Sequence, residues 1–256
     1  MSNYLHSFQL FTARDFPPIE NQLETLAALG YDAVEPYSAQ YKLASPKDLR
    51  AMCDANGLTM PSVHLPLAEF DKDRAKVIDD AITMGAHTVI AGAFPHDQRI
   101  QPIAGWQALG ARLNEHAEAL AAAGLKLAWH NHDFEFATLP DGSRPIDHLL
   151  SGSGMFWEPD LGWIVWGGYD IATELDKFPG KFAALHFRDV APAGTVEENG
   201  WTDIGSGIID WKAVWPAIER TGTDLLVVEH EAASDWVRFA RGSRAFLSSV
   251  IDSRKA

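Results

Sequence analysis

The stretch GTDLLVVEHE, Gly222 to Glu231, carries the pattern on which the fold turns. A glycine opens it, an unbroken apolar run from Leu225 to Val228 follows, and Glu229, His230 and Glu231 close it. An uninterrupted apolar run suits a strand buried on both faces, and such strands belong to parallel sheets covered by helices. Glycine is favoured just past a helix C-terminus because it enters the left-handed conformation without a Cβ penalty. The segment therefore reads as helix end, strand, ionisable group.

The same grammar recurs along the chain. Glycines at 30, 57, 85, 124, 154 and 180 are each followed at once by a short apolar run: YDAV, LTMP, AHTVI, LKLAW, MFWEP and KFAALHF. An opening strand at His6 to Phe11 brings the expected strands to eight. Helical stripes precede the glycines: Leu23, Leu26 and Leu29; Leu49, Met52 and Cys53; Val77, Ile78, Ile82 and Met84; Trp106, Leu109, Leu113 and Leu120. Ser45 followed by Pro46 and Asp48 has the chemistry of a helix start. Strand and helix alternating in this way predict an α/β protein, a single (β/α)8 TIM barrel over residues 1–256. No GxGxxG follows the first strand, which argues against a dinucleotide-binding sheet. The irregular piece from Ala191 to Gly207 is expected on the catalytic face, where it could act as a lid, and its GSG reads as a turn.

Composition narrows the function. A chain of 256 residues, 46% hydrophobic, can bury one large core, and its single cysteine, Cys53, excludes an internal disulfide framework. The opening MSNYLHSFQL has no basic segment followed by a long apolar one, and no apolar run nears the roughly 20 residues that span a bilayer. The expectation is a cytoplasmic protein without a membrane partner, and a homo-oligomer is left open. A formal charge of −14 opposes a nucleic-acid partner, which would need clustered Lys and Arg.

Four apolar strands run into groups that bind metals or move protons: LAWHNHDFEF (Leu127 to Phe136), FWEPD (Phe156 to Asp160), AALHFRD (Ala183 to Asp189) and LLVVEHE (Leu225 to Glu231). Each buried ionisable group costs several kcal/mol unless paired or ligated, so recurrence at the same strand end indicates one shared site. Strand C-termini of a barrel converge on one mouth, which gathers Glu35, His64, His96, His130, His132, Asp160, His186, Arg188 and Glu229. Carboxylates and imidazoles without thiolates suit one divalent ion, Mn²⁺, Mg²⁺, Co²⁺ or Zn²⁺, in an open site. Alternation on the fifth strand puts Ala128, His130 and His132 on one face, which must be the inner one if the histidines are functional. Trp157, Trp163, Trp166 and Trp201 sit near the mouth, where rings could stack on the C–H face of a sugar, although core packing is the commoner use of tryptophan.

HNHDFEF, the aspartate of EPDLGW, LHFRD and VVEHE, with the opening HSFQLFTARDF, GYDAVEPY and the DIGSGIIDW loop, resemble the sugar phosphate isomerase/epimerase family. That family belongs to the xylose isomerase-like TIM barrels, together with ketohexose epimerases, hydroxypyruvate isomerase, inosose dehydratase and apurinic-site endonucleases. The resemblance implies a divalent ion held by Asp160, His186 and Glu229, with a fourth ligand from strand five. There the epimerases have a glutamate and this chain has His130. The family's Asp-x-x-His is here Asp160 to Trp163, and its usual lysine after the seventh strand is Arg188.

The implied function is a metal-dependent isomerase or epimerase acting on a sugar, keto-sugar or keto-cyclitol by removing a proton next to a carbonyl. Glu229 is the candidate base and His130, His132 or Glu135 the partner acid. Glu35, His64, His96, Arg188 and Trp163 are candidate substrate contacts. Dehydratase relatives carry histidines on strand five, which makes a dehydratase or lyase the alternative. An endonuclease or a non-catalytic sugar-binding barrel is more remote, because the acidic charge opposes the first and the ligand set the second.

Overall fold

The computed structural model describes residues 4–40, 43–92, 99 and 101–254. Eight parallel strands make the ring: β1 (Leu5–Gln9), β2 (Ala33–Glu35), β3 (Ser62–Leu65), β4 (Thr88–Ala91), β5 (Lys126–His130), β6 (Met155–Glu158), β7 (Leu185–Phe187) and β10 (Leu225–Val228). Between β7 and β10 lies an antiparallel pair, β8 (Asp189–Val190) and β9 (Trp201–Thr202). The ring strands are hydrogen-bonded in the orders β2-β1-β10-β7 and β3-β4-β5-β6. Bridges at Ala33–Thr59 and Tyr37–His64 join one seam, and Trp157–Phe182 and Asp160–His186 join the other. The result is a closed TIM barrel.

Helices α1 (Ile19–Ala28), α2 (Pro46–Ala55), α3 (Leu67–Met84), α4 (Ile103–Ala122), α5 (Pro145–Leu149), α6 (Leu161–Trp166), α7 (Ile171–Asp176), α8 (Trp211–Thr221) and α9 (Trp236–Ser253) link the strands. Alternation along each strand sends one set of side chains to the helices. Phe8, Val34, Val63, Val89, Leu127, Trp129, Trp157, Phe187 and Val228 join the helix residues in one continuous core. The opposite set, which includes Ala184, Leu225 and Val227, fills the ring itself. Inner positions become polar toward the strand C-termini, where the site lies. Among the described residues no helix is long and apolar enough to cross a membrane.

The local signals act as the sequence indicates at most junctions. Ser45 caps α2 by accepting from the Asp48 amide, with Pro46 in the first turn, a cap worth about 1 kcal/mol. Glycines 30, 57, 85, 124, 180 and 222 all have left-handed φ. Gly154 does not, because α5 is short and the chain enters β6 through a turn closed by the Met155 amide on the Gly152 carbonyl. On α3, Val77, Ala81 and Met84 face the core, whereas Ile82, expected there, is 53% exposed. Cys53 is buried in α2 as a small hydrophobe. Trp157 also serves the core, packed against Phe178 and Phe182.

The segment from Ala191 to Gly207, read from the sequence as irregular, includes the returning strand of a fastened hairpin. Asp189 accepts from the amides of Gly205 (2.8 Å), Gly207 (3.3 Å) and Ile209 (3.4 Å) and from Trp211 Nε1 (2.8 Å). A side chain on Gly207 would collide with that carboxylate, and Gly205 has a left-handed φ of 88°, which together explain the GSG. At the other end Glu198 accepts from Ser234 and Arg238. Asp189→Ala leaves several donors without an acceptor and is expected to lower stability by about 3 kcal/mol. Urea unfolding followed by tryptophan fluorescence checks this; a loss below about 1 kcal/mol would mean the loop holds without its carboxylate.

Candidate active site

At the C-terminal end of the ring, three imidazoles surround one carboxylate. Glu158 closes β6, and its Oε2 lies 2.7 Å from His64 Nε2, 3.1 Å from His130 Nδ1 and 3.3 Å from His186 Nδ1. Register explains the convergence, because His130 and Glu158 are directly paired across β5 and β6. His64 arrives from β3 and His186 from β7. One ligand atom from each of the four residues lies within 4.8 Å of all the others. Glu158 Oε1 is buried and has no hydrogen-bond partner among the described residues. An unmatched carboxylate oxygen beside three imidazole nitrogens is a donor set that fits a divalent ion of borderline softness. Gly92, just past β4, lets the end of β5 approach closely: a Cβ there would stand 2.8 Å from the Cβ and 2.9 Å from the carbonyl oxygen of His130.

The neighbouring carboxylates are engaged by protein cations and donors. Asp160 caps α6 by accepting from the Trp163 amide at 2.9 Å, and its other oxygen accepts from Arg188 Nε at 2.8 Å. Glu229 Oε2 lies 2.9 Å from Arg188 Nη2 and 2.7 Å from His186 Nε2, the latter an ion-pair contact without hydrogen-bond angles. Glu231 accepts from Arg188 Nη1 at 2.7 Å. Arg188 itself is buried, and Gly162 makes room for it, since a Cβ there would lie 2.6 Å from its own. Glu35 accepts from Gln9 Nε2 and Ser62 Oγ and sits 3.0 Å from His64 Nε2.

These contacts set the charges. Burial opposes ionisation of Glu158, but the histidines around it hold its carboxyl well below the ordinary value. Burial likewise opposes a charge on His64, yet Glu35 and Glu158 outweigh it and push the pKa up to about 10. His130 goes the other way, to about 4, chiefly through burial. Glu35 is raised by burial and by the Glu158 charge. Burial works against Glu229 as well, but Arg188 and His186 keep it strongly ionised.

A cavity of about 380 Å³ opens above the cluster. Phe11, Tyr37, Leu65 and Pro66 form an apolar wall, and His64, His130, His132, Arg188, Glu229 and Glu231 a polar one. His132 presents its ring against Phe134, and its Nδ1 has no hydrogen-bond partner among the described residues. Glu135 is fully buried behind it, accepting from the His132 amide at 2.9 Å and from Trp129 Nε1 at 3.2 Å, so it orients His132 and does not reach the cavity. Trp163 stands behind His132 and Arg188 with Trp201, and is not among the described residues lining the cavity. His96 lies outside the described residues.

Of the four ligands expected from the sequence, His130 and His186 contact Glu158, while Asp160 and Glu229 contact Arg188 and also lie 3.8 Å from His130 Nε2 and 2.7 Å from His186 Nε2, respectively. Glu158 and Glu231 are site residues that the sequence reading does not name as candidates; each lies two residues from a named carboxylate, Asp160 and Glu229, and that closeness to a strand end is the available signal.

Residues 23–250 match the xylose isomerase-like TIM barrel family, and the chain belongs to that family. An inosose dehydratase of Lacticaseibacillus casei is 22% identical over 278 residues, spanning 91% of this chain and 90% of that protein. The fold is similar to that of a sugar phosphate isomerase/epimerase from Parabacteroides distasonis, with a TM-score of 0.82, 20% identity and coverage of 97% and 95% of the two chains. It is also similar to the IOLI protein, whose structure carries a zinc atom, with a TM-score of 0.78, 16% identity and coverage of 97% and 98%.

The Glu158 cluster is expected to take up a single Co²⁺ or Zn²⁺ ion. Glu158→Gln should lower occupancy at least about tenfold, as loss of a charged ligand does, and Asp160→Asn should retain it. Elemental analysis after loading and dialysis reads both. Retention by Glu158→Gln with loss in Asp160→Asn would move the ion to the Asp160–Glu229 pair.

Proposed function

We propose that the protein is a divalent-metal-dependent enzyme that removes a proton next to the carbonyl of a keto-sugar or keto-cyclitol and expels the β-oxygen, a dehydratase or lyase. The observation that carries this reading is the three-imidazole, one-carboxylate cluster beneath the cavity, with one carboxylate oxygen unmatched. His64, His130, Glu158 and His186 would hold the ion. Bound there, it would supply a Lewis acid that polarises the carbonyl and acidifies the neighbouring C–H enough for a carboxylate as weakly basic as Glu229.

The protein's own groups divide the proton work. In the ring order β5 and β10 are three strands apart, so their terminal side chains approach a bound molecule from different sides. Glu229, kept ionised by Arg188 and His186, takes the proton. The electrons of the broken C–H bond form the new double bond, the C–O bond breaks toward oxygen, and His132 protonates the departing oxygen as water or an alcohol. His132 suits the donor role better than His130, which is bound to Glu158, or Glu135, which is turned into the protein.

The choice of elimination over epimerisation rests on what the β5 side offers. Among the described residues it presents an imidazole to the cavity and no carboxylate. A pair of carboxylates works symmetrically on both faces of a carbon, whereas an imidazole opposite a glutamate suits protonation of a leaving oxygen. The full-length similarity to an inosose dehydratase supports the same direction, and the likeness to a sugar phosphate isomerase/epimerase supports the shared first step.

NMR of the metal-loaded protein in D₂O with myo-inosose and ketohexoses tests the proposal. The expected result is an eliminated product from the keto-cyclitol, with His132→Ala slowing elimination by about two orders of magnitude while slower deuterium exchange persists. Clean interconversion of epimers, with deuterium at the inverted carbon and no eliminated product, would return the chain to the epimerases.

A further inference from the structure

We infer that Glu231 makes the cavity selective against anions, so that the substrate is a neutral polyol or its keto form, carrying neither phosphate nor carboxylate. The inference deepens the function proposed above and rests on it. Its basis is the state of Arg188. Among the described residues lining the cavity, Arg188 is the only lysine or arginine, and a guanidinium there would ordinarily recruit a phosphate or carboxylate through its planar fork. Here the fork is engaged by the protein. Nε donates to Asp160, Nη1 donates to Glu231, and Nη2 lies 2.9 Å from Glu229. Its guanidinium carbon lies over the rings of Trp201 and Trp163, 5.0 Å and 5.7 Å from their centroids.

Arg188, with His186 also 2.7 Å from Glu229, thus meets three carboxylates, and the protein charge at that corner of the cavity stays negative. Arg188 is 2% exposed, whereas the side chain of Glu231 is 36% exposed. Glu231 is therefore the outermost of the three carboxylates and the first that an incoming anion meets. Its place is built and not incidental, because Arg14 Nη2 donates to the Glu231 carbonyl at 2.8 Å and fixes the backbone beneath it. A second negative charge brought beside Glu231 meets its repulsion, which offsets the attraction that Arg188 would otherwise exert. A neutral polyol avoids that repulsion and gains an acceptor, since the free lone pairs of Glu231 can receive its hydroxyls. Glu231 is on this account a specificity-determining residue that acts by neutralising its neighbour.

The test removes the charge and reads binding, not turnover. Isothermal titration of the metal-loaded full chain uses inorganic phosphate and D-fructose 6-phosphate as probes, with Glu231→Gln, Glu231→Ala and Glu231→Asp compared with the unmodified protein. Glu231→Gln and Glu231→Ala should each bind both probes at least about tenfold more tightly, and Glu231→Asp should stay near the original. The alanine variant guards against a new amide binding phosphate by itself, and any phosphate on the metal is common to all four proteins. Equal affinity in all four, or an unmodified protein that prefers the phosphate ester to D-fructose, overturns the inference. A tenfold gain in proteins that never eliminate water from a keto-cyclitol would sink the catalytic reading and leave the anion filter standing.

Discussion

One buried oxygen, Oε2 of Glu158, ties together the ends of four strands, because His64, His130 and His186 all reach it from β3, β5 and β7. A carboxylate removed from water is stable as an ion only if cations or donors replace the lost hydration. Each partner has needs of its own, and the network extends accordingly. His64 leads to Glu35 and through it to Gln9 on β1 and Ser62 on β3, while His186 leads to Glu229 and on to Arg188. The polar layer of the mouth is therefore one electrostatic unit, and a change at any member is felt by strands that do not touch it.

The helix-facing half of the molecule supplies the rigidity such a unit needs. Phe187 and Trp157, next to two of the charged positions along the chain, are buried against Trp211 and against Phe178 and Phe182. Alternation along each strand lets one face pay in apolar contacts for the ions on the other. The hairpin after β7 contributes in the same way, since Trp201 lies over Arg188 while Asp189 holds the returning loop.

Much of this was readable from residues alone. The glycine-to-strand junctions foretold the ring because a left-handed residue after a helix is a local requirement, and local requirements leave local marks. Gly154 misled because a short helix and a turn reach the same strand without one, and Ile82 because a stripe at helical spacing does not record which flank faces out. At the site, residue types and the shared mouth were legible, since strand ends are. Partner choice was not: that Asp160 and Glu229 both contact Arg188 depends on where a long guanidinium folds back, which no spacing encodes. Glu158 ends β6 and Asp160 caps α6 two residues on, so the sequence places both at the mouth without telling their partners apart.

Gly92 and Gly162 are the two places where the backbone yields so that His130 and Arg188 can occupy the mouth. Each missing methyl group would meet the Cβ and the backbone carbonyl of the strand-end residue, so glycine is required at 92 and 162 whatever side chain stands at 130 and 188. Across relatives, a residue other than glycine at either position requires the two backbones to stand farther apart. The glycines thus record the spacing of the chain at the mouth and not its charges, and they would separate chains that share the catalytic letters but seat them differently.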